Sequence, residues 1–379
     1  MKTNKFVQSK KDIARKTKKV FKKIVSWAGL FFFGLAAFMI YRQLSKYQME
    51  DIKQALLSIP AKNLIYASVA SFFGYVALSS YDYLALKYIK KKVSTWKWIF
   101  AGFIGFSVSN NAGHAIVSGG AIRYRLYTRW RIKANEIVKM ITFSGFTYLV
   151  ACFFLIIIGY FITPGHAFGD KDASKITTAI VAFGSFIGLW IYLTAALYYK
   201  KPIVIKGIKF KMPNFKTALE QILIGSLDIL MASLVLYFTL THFVDIKFNV
   251  FIGAFIIAQI LGVYSQVPGG LGVFELVFAN IIPGAENQAM LYGALIAYRI
   301  IYYLLPLVIS AIALLSYEWY LGYRQKEIKK QRKLDLIKQK MLEKADALNQ
   351  KAKIVTDKAK KVTQKAKQIK DKVRLKKKK

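Results

Sequence analysis

The chain has 379 residues, of which 55% are hydrophobic, and a formal net charge of +39. Lys and Arg crowd the two ends and a few short loops while the middle is a series of long apolar runs, which excludes an ordinary soluble domain; a basic nucleic-acid protein would not carry several apolar segments of about 20 residues. The single cysteine, Cys152, excludes an internal disulfide and a cysteine-based metal cage.

Residues 1–23 hold ten Lys or Arg against one acid, Asp12, and read as a basic cytoplasmic arm that is retained, because the next apolar run lacks a small-residue cleavage site. A first span is predicted at about Ile24–Tyr41. Gln43–Ala61 mixes both signs, ends at Pro60 and reads as a loop with a short helix. A second span covers about Asn63–Tyr83, and Lys87, Lys90, Lys91 and Lys92 follow at once, placing that loop in the cytoplasm.

From about Trp98 the pattern changes. Gly105–Tyr127 (GFSVSNNAGHAIVSGGAIRYRLY) is apolar enough to enter a bilayer, yet holds Asn110, Asn111, His114, Ser118, Gly119, Gly120, Arg123 and Arg125. Lipid satisfies neither these side chains nor a backbone broken at Gly-Gly, so other protein or trapped water must do so. A full crossing would put Arg123, Arg125, Arg129, Arg131 and Lys133 outside, against the charge rule. The segment is therefore predicted as a re-entrant hairpin that goes in to about Ala112, turns near Gly113 or Gly119-Gly120, and returns to the cytoplasmic side. Spans follow at Ile137–Phe161, Ile176–Tyr199 and Ala218–Leu240, separated by an outer loop and by Lys200–Lys216, which carries six lysines and no acid.

A second broken segment comes next: Phe248–Gln266 is apolar, Pro268-Gly269-Gly270 interrupts it, and Leu271–Ile282 is apolar again. Pro283–Gln288 has no basic residue and reads as external. The last span, Met290–Ser316, must deliver a lysine-rich tail inside. The count closes as an all-α polytopic membrane protein of six full spans plus two Gly-broken hairpins dipping in from opposite faces, an arrangement that suggests an inverted repeat with a binding site where the tips meet. Eight plain spans with one misplaced basic loop is the alternative. Residues 24–317 form the membrane domain and 318–379 a basic cytoplasmic helix. In that tail Ala345, Ala352, Ala359 and Ala366 recur every seven residues, interleaved with Leu348, Val355, Val362 and Ile369. The stripe suits weak self-association or an anionic membrane surface, and equally a solvated helix.

Charges at membrane depth are few: Asp82, Arg123, Arg125, Asp228, Glu275 and Arg299. Each is costly in lipid and is a functional candidate. Glu275 and Arg299 read either as an ion pair locking the second hairpin or as substrate contacts. Asn110 and Asn111 read as substrate ligands or as helix caps, and His114 as a satisfied buried histidine before a proton carrier. No hydrolase elbow, metal-ligand cluster or phosphate-binding loop is present in the sequence, and no cofactor is expected.

SNNAGHAIVSGGAIRYRLYTRW and VPGGLGVFELV resemble the two signature regions of the lysylphosphatidylglycerol synthetase transmembrane family, the membrane part of the bacterial multiple peptide resistance factor, which also occurs in stand-alone form. The resemblance covers about Ile24–Tyr317. It implies a lipid-translocation module, with lysyl transfer belonging to a separate soluble domain that this sequence is not expected to carry. It places the motif positions at Asn110, Asn111, Gly113, His114, Ser118, Gly119, Gly120, Arg123 and Arg125, and at Pro268, Gly269, Gly270, Gly272 and Glu275. Three functions are weighed: a phospholipid flippase or scramblase, a phosphatidylglycerol lysyltransferase component, and an anchor presenting a basic tail. The first implies a phospholipid substrate, binding residues Asn110, Asn111, His114, Ser118, Gly119, Gly120, Arg123, Arg125, Gly269, Gly270, Glu275 and Arg299, no nucleic acid partner, and a bacterial inner membrane with both termini cytoplasmic. A second copy of the chain is a further candidate partner.

Overall fold

The computed structural model describes residues 49–112, 118–162, 172–205, 207–265, 267–282 and 288–376. They form α1 (Met49–Ser58), α2 (Ala61–Tyr88), α3 (Thr95–Ala112), α4 (Ser118–Arg129), α5 (Ala134–Ile162) and α6 (Asp172–Tyr198). Two short strands, β1 (Ile203–Ile205) and β2 (Ile208–Phe210), then precede α7 (Phe215–Leu240) and α8 (Phe248–Tyr264). A 3-10 turn at Pro268–Gly270, α9 (Val273–Ile281), α10 (Gln288–Arg299), a π turn at Ile300–Leu304 and α11 (Leu305–Lys376) complete the chain. The architecture is that of an all-α polytopic membrane protein. Among the described residues five helices are long and apolar enough to cross a membrane: α2, α5, α6, α7 and the run that begins at Met290. They coincide with five of the six spans read from the sequence; the sixth, Ile24–Tyr41, and the basic arm before it lie outside the described residues.

The antiparallel β1–β2 hairpin, Ile203 opposite Phe210, was not anticipated in the Lys200–Lys216 loop. Its register is local and leaves the helical bundle unchanged. Asn214 ends the loop by accepting a hydrogen bond from the Thr217 amide, a side-chain cap that starts α7.

The core of the bundle is α2 against α7, flanked by α3, α5 and α10. Small residues let the helices approach. A Cβ on Gly102 of α3 would meet the Ser79 backbone of α2 at 2.8 Å, and one on Gly225 of α7 would meet Ala151 of α5 at 2.5 Å. Close backbone contact of this kind replaces the hydrophobic drive that lipid cannot supply.

Contacts at the helix ends fix how the broken segments run. Lys87 at the end of α2 bonds Glu220 near the start of α7 at 2.6 Å, and Lys91 pairs with Glu136 at the start of α5 at 3.5 Å. The chain between them, α3 and α4, therefore leaves one end of the bundle and returns to it, with α3 packed on α4. The second hairpin is hung from the other end. There Asn63, at the start of α2, donates to the Phe238 carbonyl of α7 at 2.9 Å, and Tyr237 packs on Phe248 at the start of α8. Phe278, near the end of α9, comes back to Phe251, with ring centroids 5.7 Å apart.

One expected turn is corrected. Gly119 and Gly120 lie inside the first turn of α4 with helical backbone, so they are not the bend of the first hairpin. Gly119 serves close approach instead: a Cβ there would run into the Ser109 hydroxyl and lie 2.5 Å from the Gly105 carbonyl on α3. The other expected turn position, Gly113, lies outside the described residues, as do His114 and residues 283–287.

The described residues up to Ile312 form one compact unit and those from Ala313 onward another. In the second unit the helix continues unbroken to Lys376, and residues 322–344 are exposed.

Candidate functional site

The two hairpins meet at their tips. Gly269 and Gly270 adopt φ of 63° and 62°, a left-handed backbone that residues with a Cβ rarely take. This sharp turn seats the Pro-Gly-Gly segment on the C-terminal end of α3. A Cβ on Gly269 would lie 3.4 Å from the Asn110 carbonyl and 3.5 Å from that of Asn111.

Arg299 holds the turn in place. Its Nη1 donates to the Gly269 carbonyl at 2.5 Å, while Nε and Nη2 both lie 2.7 Å from Glu275 Oε1. The other carboxylate oxygen, Oε2, accepts the Gly272 amide at 2.7 Å and so caps α9. The guanidinium also stacks on Tyr303, 4.5 Å from its centroid. Both charges are buried. The ion-pair alternative is what the structure contains, and α10 is thereby pinned to the second hairpin.

The first hairpin has a matching device with the signs exchanged. Arg123 of α4 donates from Nε to Asp82 Oδ1 of α2 at 2.8 Å, and Tyr127 donates to Asp82 Oδ2 at 2.9 Å. Its guanidinium lies 4.1 Å from the Phe106 ring centroid and against Gly105 and Gly119, where a side chain would take its space. Arg123 is only 3% exposed, so it does not stand at an open mouth of the hairpin. Among the described residues its buried Nη2 has no hydrogen-bond partner. Arg125, two residues on, is half-buried and faces a different side of α4.

Asn111 contributes through a neighbouring irregularity. Pro306 has no N–H, so the preceding turn widens into a π turn and leaves carbonyls without helical donors. Three side chains supply them: Ser71 bonds the Ile301 carbonyl at 3.1 Å, Tyr75 that of Tyr302 at 3.0 Å, and Asn111 that of Tyr303 at 3.1 Å. Asn111 thus ties the tip of α3 to the π turn while its Nδ2 also donates to the Ser107 carbonyl of its own helix at 2.7 Å. Ser118 is buried at the start of α4, and Asn110 is half-buried.

Of the predicted site residues, Asn110, Asn111, Gly269, Gly270, Glu275 and Arg299 are brought together at the tips; Gly119 and Arg123 line the α3–α4 contact, and Gly120 faces Ile141 of α5. Tyr127, Tyr302 and the π turn were missing from the predicted site, and Asp82 was a candidate charge that had not been placed in it. Their signals were an acid inside the apolar run of α2 and a proline inside that of the last span. Among the described residues no group of three His, Cys, Asp or Glu could hold a metal ion.

Comparison with known proteins agrees with this architecture. The family described as the lysylphosphatidylglycerol synthase TM region matches residues 26–310. An uncharacterized protein of Synechocystis sp. is 31% identical over 292 residues, covering 76% of this chain and 90% of its own length. The inner membrane protein YbhN of Escherichia coli is 27% identical over 303 residues, 78% of this chain and 92% of that protein. A phosphatidylglycerol lysyltransferase of Staphylococcus aureus is 27% identical over 305 residues, but the match spans only 34% of that longer protein.

Proposed function

Because the chain belongs to the family of lysylphosphatidylglycerol synthase transmembrane regions, we propose that it moves a phospholipid or an aminoacyl-phospholipid between the leaflets of a bilayer, as a flippase or scramblase. The observation that carries this reading is the seating of the Pro-Gly-Gly turn on the end of α3 by two hairpins hung from opposite ends of the bundle. In this reading both hairpins are re-entrant, and a polar path opens where their tips part. The basic loops and both termini face the cytoplasm of a bacterial inner membrane. The longer relative's name assigns lysyl transfer to that protein; the shared third is read here as handling the lipid.

The headgroup is held at Arg123 and Arg125, with Asn110 and Ser118 as further polar groups of the same segment. Arg123 has a buried N–H that finds no partner among the described residues, and a phosphodiester oxygen is a strong acceptor for it. Asp82 keeps the guanidinium in place until the lipid arrives. Arg299 and Glu275 hold the second tip closed.

Reconstitution into liposomes with fluorescent lipids of different headgroups tests the reading. Faster movement than in protein-free vesicles is expected for at least one anionic or aminoacylated headgroup, and no acceleration for any would overturn it. The clamp has its own test. A guanidinium engages a phosphate through two oxygens, which an ammonium cannot reproduce. Arg123→Lys/Arg125→Lys should slow transport about ten- to hundredfold, the loss of one charge-assisted hydrogen bond of about 1.5–3 kcal/mol. Wild-type movement by that variant would end the clamp. Consumption of lysyl-tRNA by the purified protein would move the assignment to the transferase.

A further inference from the structure

Among the described residues three carboxyl side chains are buried in the helical body, and they are not alike. Asp82 and Glu275 each face an arginine. Asp228, on α7 and 4% exposed, does not. Its Oδ2 accepts from the Tyr81 hydroxyl at 3.0 Å and its Oδ1 from Tyr302 at 3.2 Å. Among the described residues the ionisable groups that face it are Tyr75 and Tyr81 of α2, Tyr148 and Cys152 of α5, and Tyr302 of the π turn. All are uncharged in their ordinary state at neutral pH. The cation on α10, Arg299, is committed to Glu275 and Gly269. Tyr192 of α6 is bonded to Gln221, and α8 packs toward α7 with Phe251.

A carboxylate in such a place carries a large desolvation cost, and two neutral hydroxyl donors offset only part of it. The acid form carries no such cost. We infer that Asp228 is a proton-binding site of the membrane domain: it takes up a proton on one carboxylate oxygen and releases it again, and the ligand is the proton itself. The step makes and breaks a single O–H bond and moves no electrons. As carboxylate, Asp228 accepts from Tyr302; protonated on Oδ1, it donates to the Tyr302 oxygen, and the tyrosine hydrogen must turn to another acceptor.

The position gives that exchange a consequence. Tyr302 belongs to the π turn, whose carbonyls are held by Ser71 and Tyr75 of α2 and by Asn111 at the tip of the first hairpin. Arg299, directly before the turn, holds the tip of the second. A proton moving on or off Asp228 therefore acts on the π turn, which Asn111 joins to the first tip and which directly follows Arg299, the residue that holds the second. Resting on the lipid-transport reading, this makes a proton gradient the energy source of the movement.

Infrared difference spectroscopy of the reconstituted protein between acidic and alkaline pH tests the site directly. The wild type should show a protonated-carboxyl C=O band that shifts in D2O and is lost in Asp228→Asn. If that band is absent at every pH at which the protein stays folded, or persists in a folded Asp228→Asn, the inference is overturned. A spectrum that responds to sodium at constant pH, with no response to pH, also overturns it. Should Asp228→Asn fail to fold, Tyr302→Phe decides: it removes one donor to the carboxylate, so the band should survive to higher pH, and an unchanged profile counts against the site. In the lipid assay a pH gradient should change the rate for the wild type and leave Asp228→Asn unresponsive. Absence of lipid movement under every condition would sink the transport reading, and the infrared band would still decide on the proton.

Discussion

Arg299 shows how much one side chain holds. It closes the Pro-Gly-Gly turn, neutralises Glu275 and joins α10 to the second hairpin. Removing one partner of a buried pair leaves an uncompensated charge, which costs about 3–5 kcal/mol, whereas replacing both by neutral groups is often harmless. Arg299→Met should therefore lower the melting temperature sharply in detergent micelles. Arg299→Met/Glu275→Gln should recover more than half of the loss, because glutamine still accepts the Gly272 amide. A double variant as unstable as the sum of the singles would refute this. The adjacent glycines of the first signature make a second contrast. Gly119→Ala drives a Cβ into the Gly105 carbonyl, and the two helices must part, at a cost of about 1–3 kcal/mol. Gly120→Ala meets only the tip of Ile141 at 3.1 Å, a side chain that can turn aside, and should be mild. Equal melting temperatures for the two alanine variants would contradict the packing.

At the scale of elements, the π turn is the joint of the molecule. Pro306 frees its carbonyls, and α2 and α3 supply the missing donors. Asn111→Ala orphans the Tyr303 carbonyl and should cost about 1–3 kcal/mol, the penalty of an unsatisfied buried acceptor. Asn111→Asp is the harsher change, since a carboxylate cannot donate to that carbonyl. Thermal unfolding of both variants checks the order, and a more stable aspartate variant would show that the Asn111–Tyr303 bond is unimportant.

For the whole molecule, the contacts of Lys87 with Glu220 and Lys91 with Glu136 gather three basic loops at one end. The positive-inside rule predicts a cytoplasmic position for that end. A single cysteine at position 129, on a Cys152→Ser background, should stay unlabelled by impermeant reagent added to intact cells; labelling from outside would invert the orientation or undo the first hairpin. The helix beyond Ile312 belongs to a separate compact unit. Truncation after Tyr323 should leave lipid movement intact while weakening association with anionic vesicles. Loss of transport in a truncated protein that still inserts would make the tail part of the machinery.

Much of the architecture was legible in the sequence. Apolar runs of about 20 residues and the placement of lysines are one-dimensional signals, because lipid admits only helices with their backbone bonded internally. The same logic marked both broken segments, and Pro268-Gly269-Gly270 was read correctly as an interruption because its backbone leaves the allowed range of other residues. The partners of the charges were not legible. Arg123 was read among the binding residues with no partner named and lies buried against Asp82, 41 residues earlier; Asp228 gained its two tyrosines from α2 and the π turn, and Asn111 its acceptor 192 residues away. The Glu275–Arg299 pair was one of two readings, and only the fold chose between them. Burial of a charge depends on which helices lie beside it, so partition between lipid and water determines the spans, whereas packing between distant helices decides which polar groups are already satisfied and which are left for a ligand.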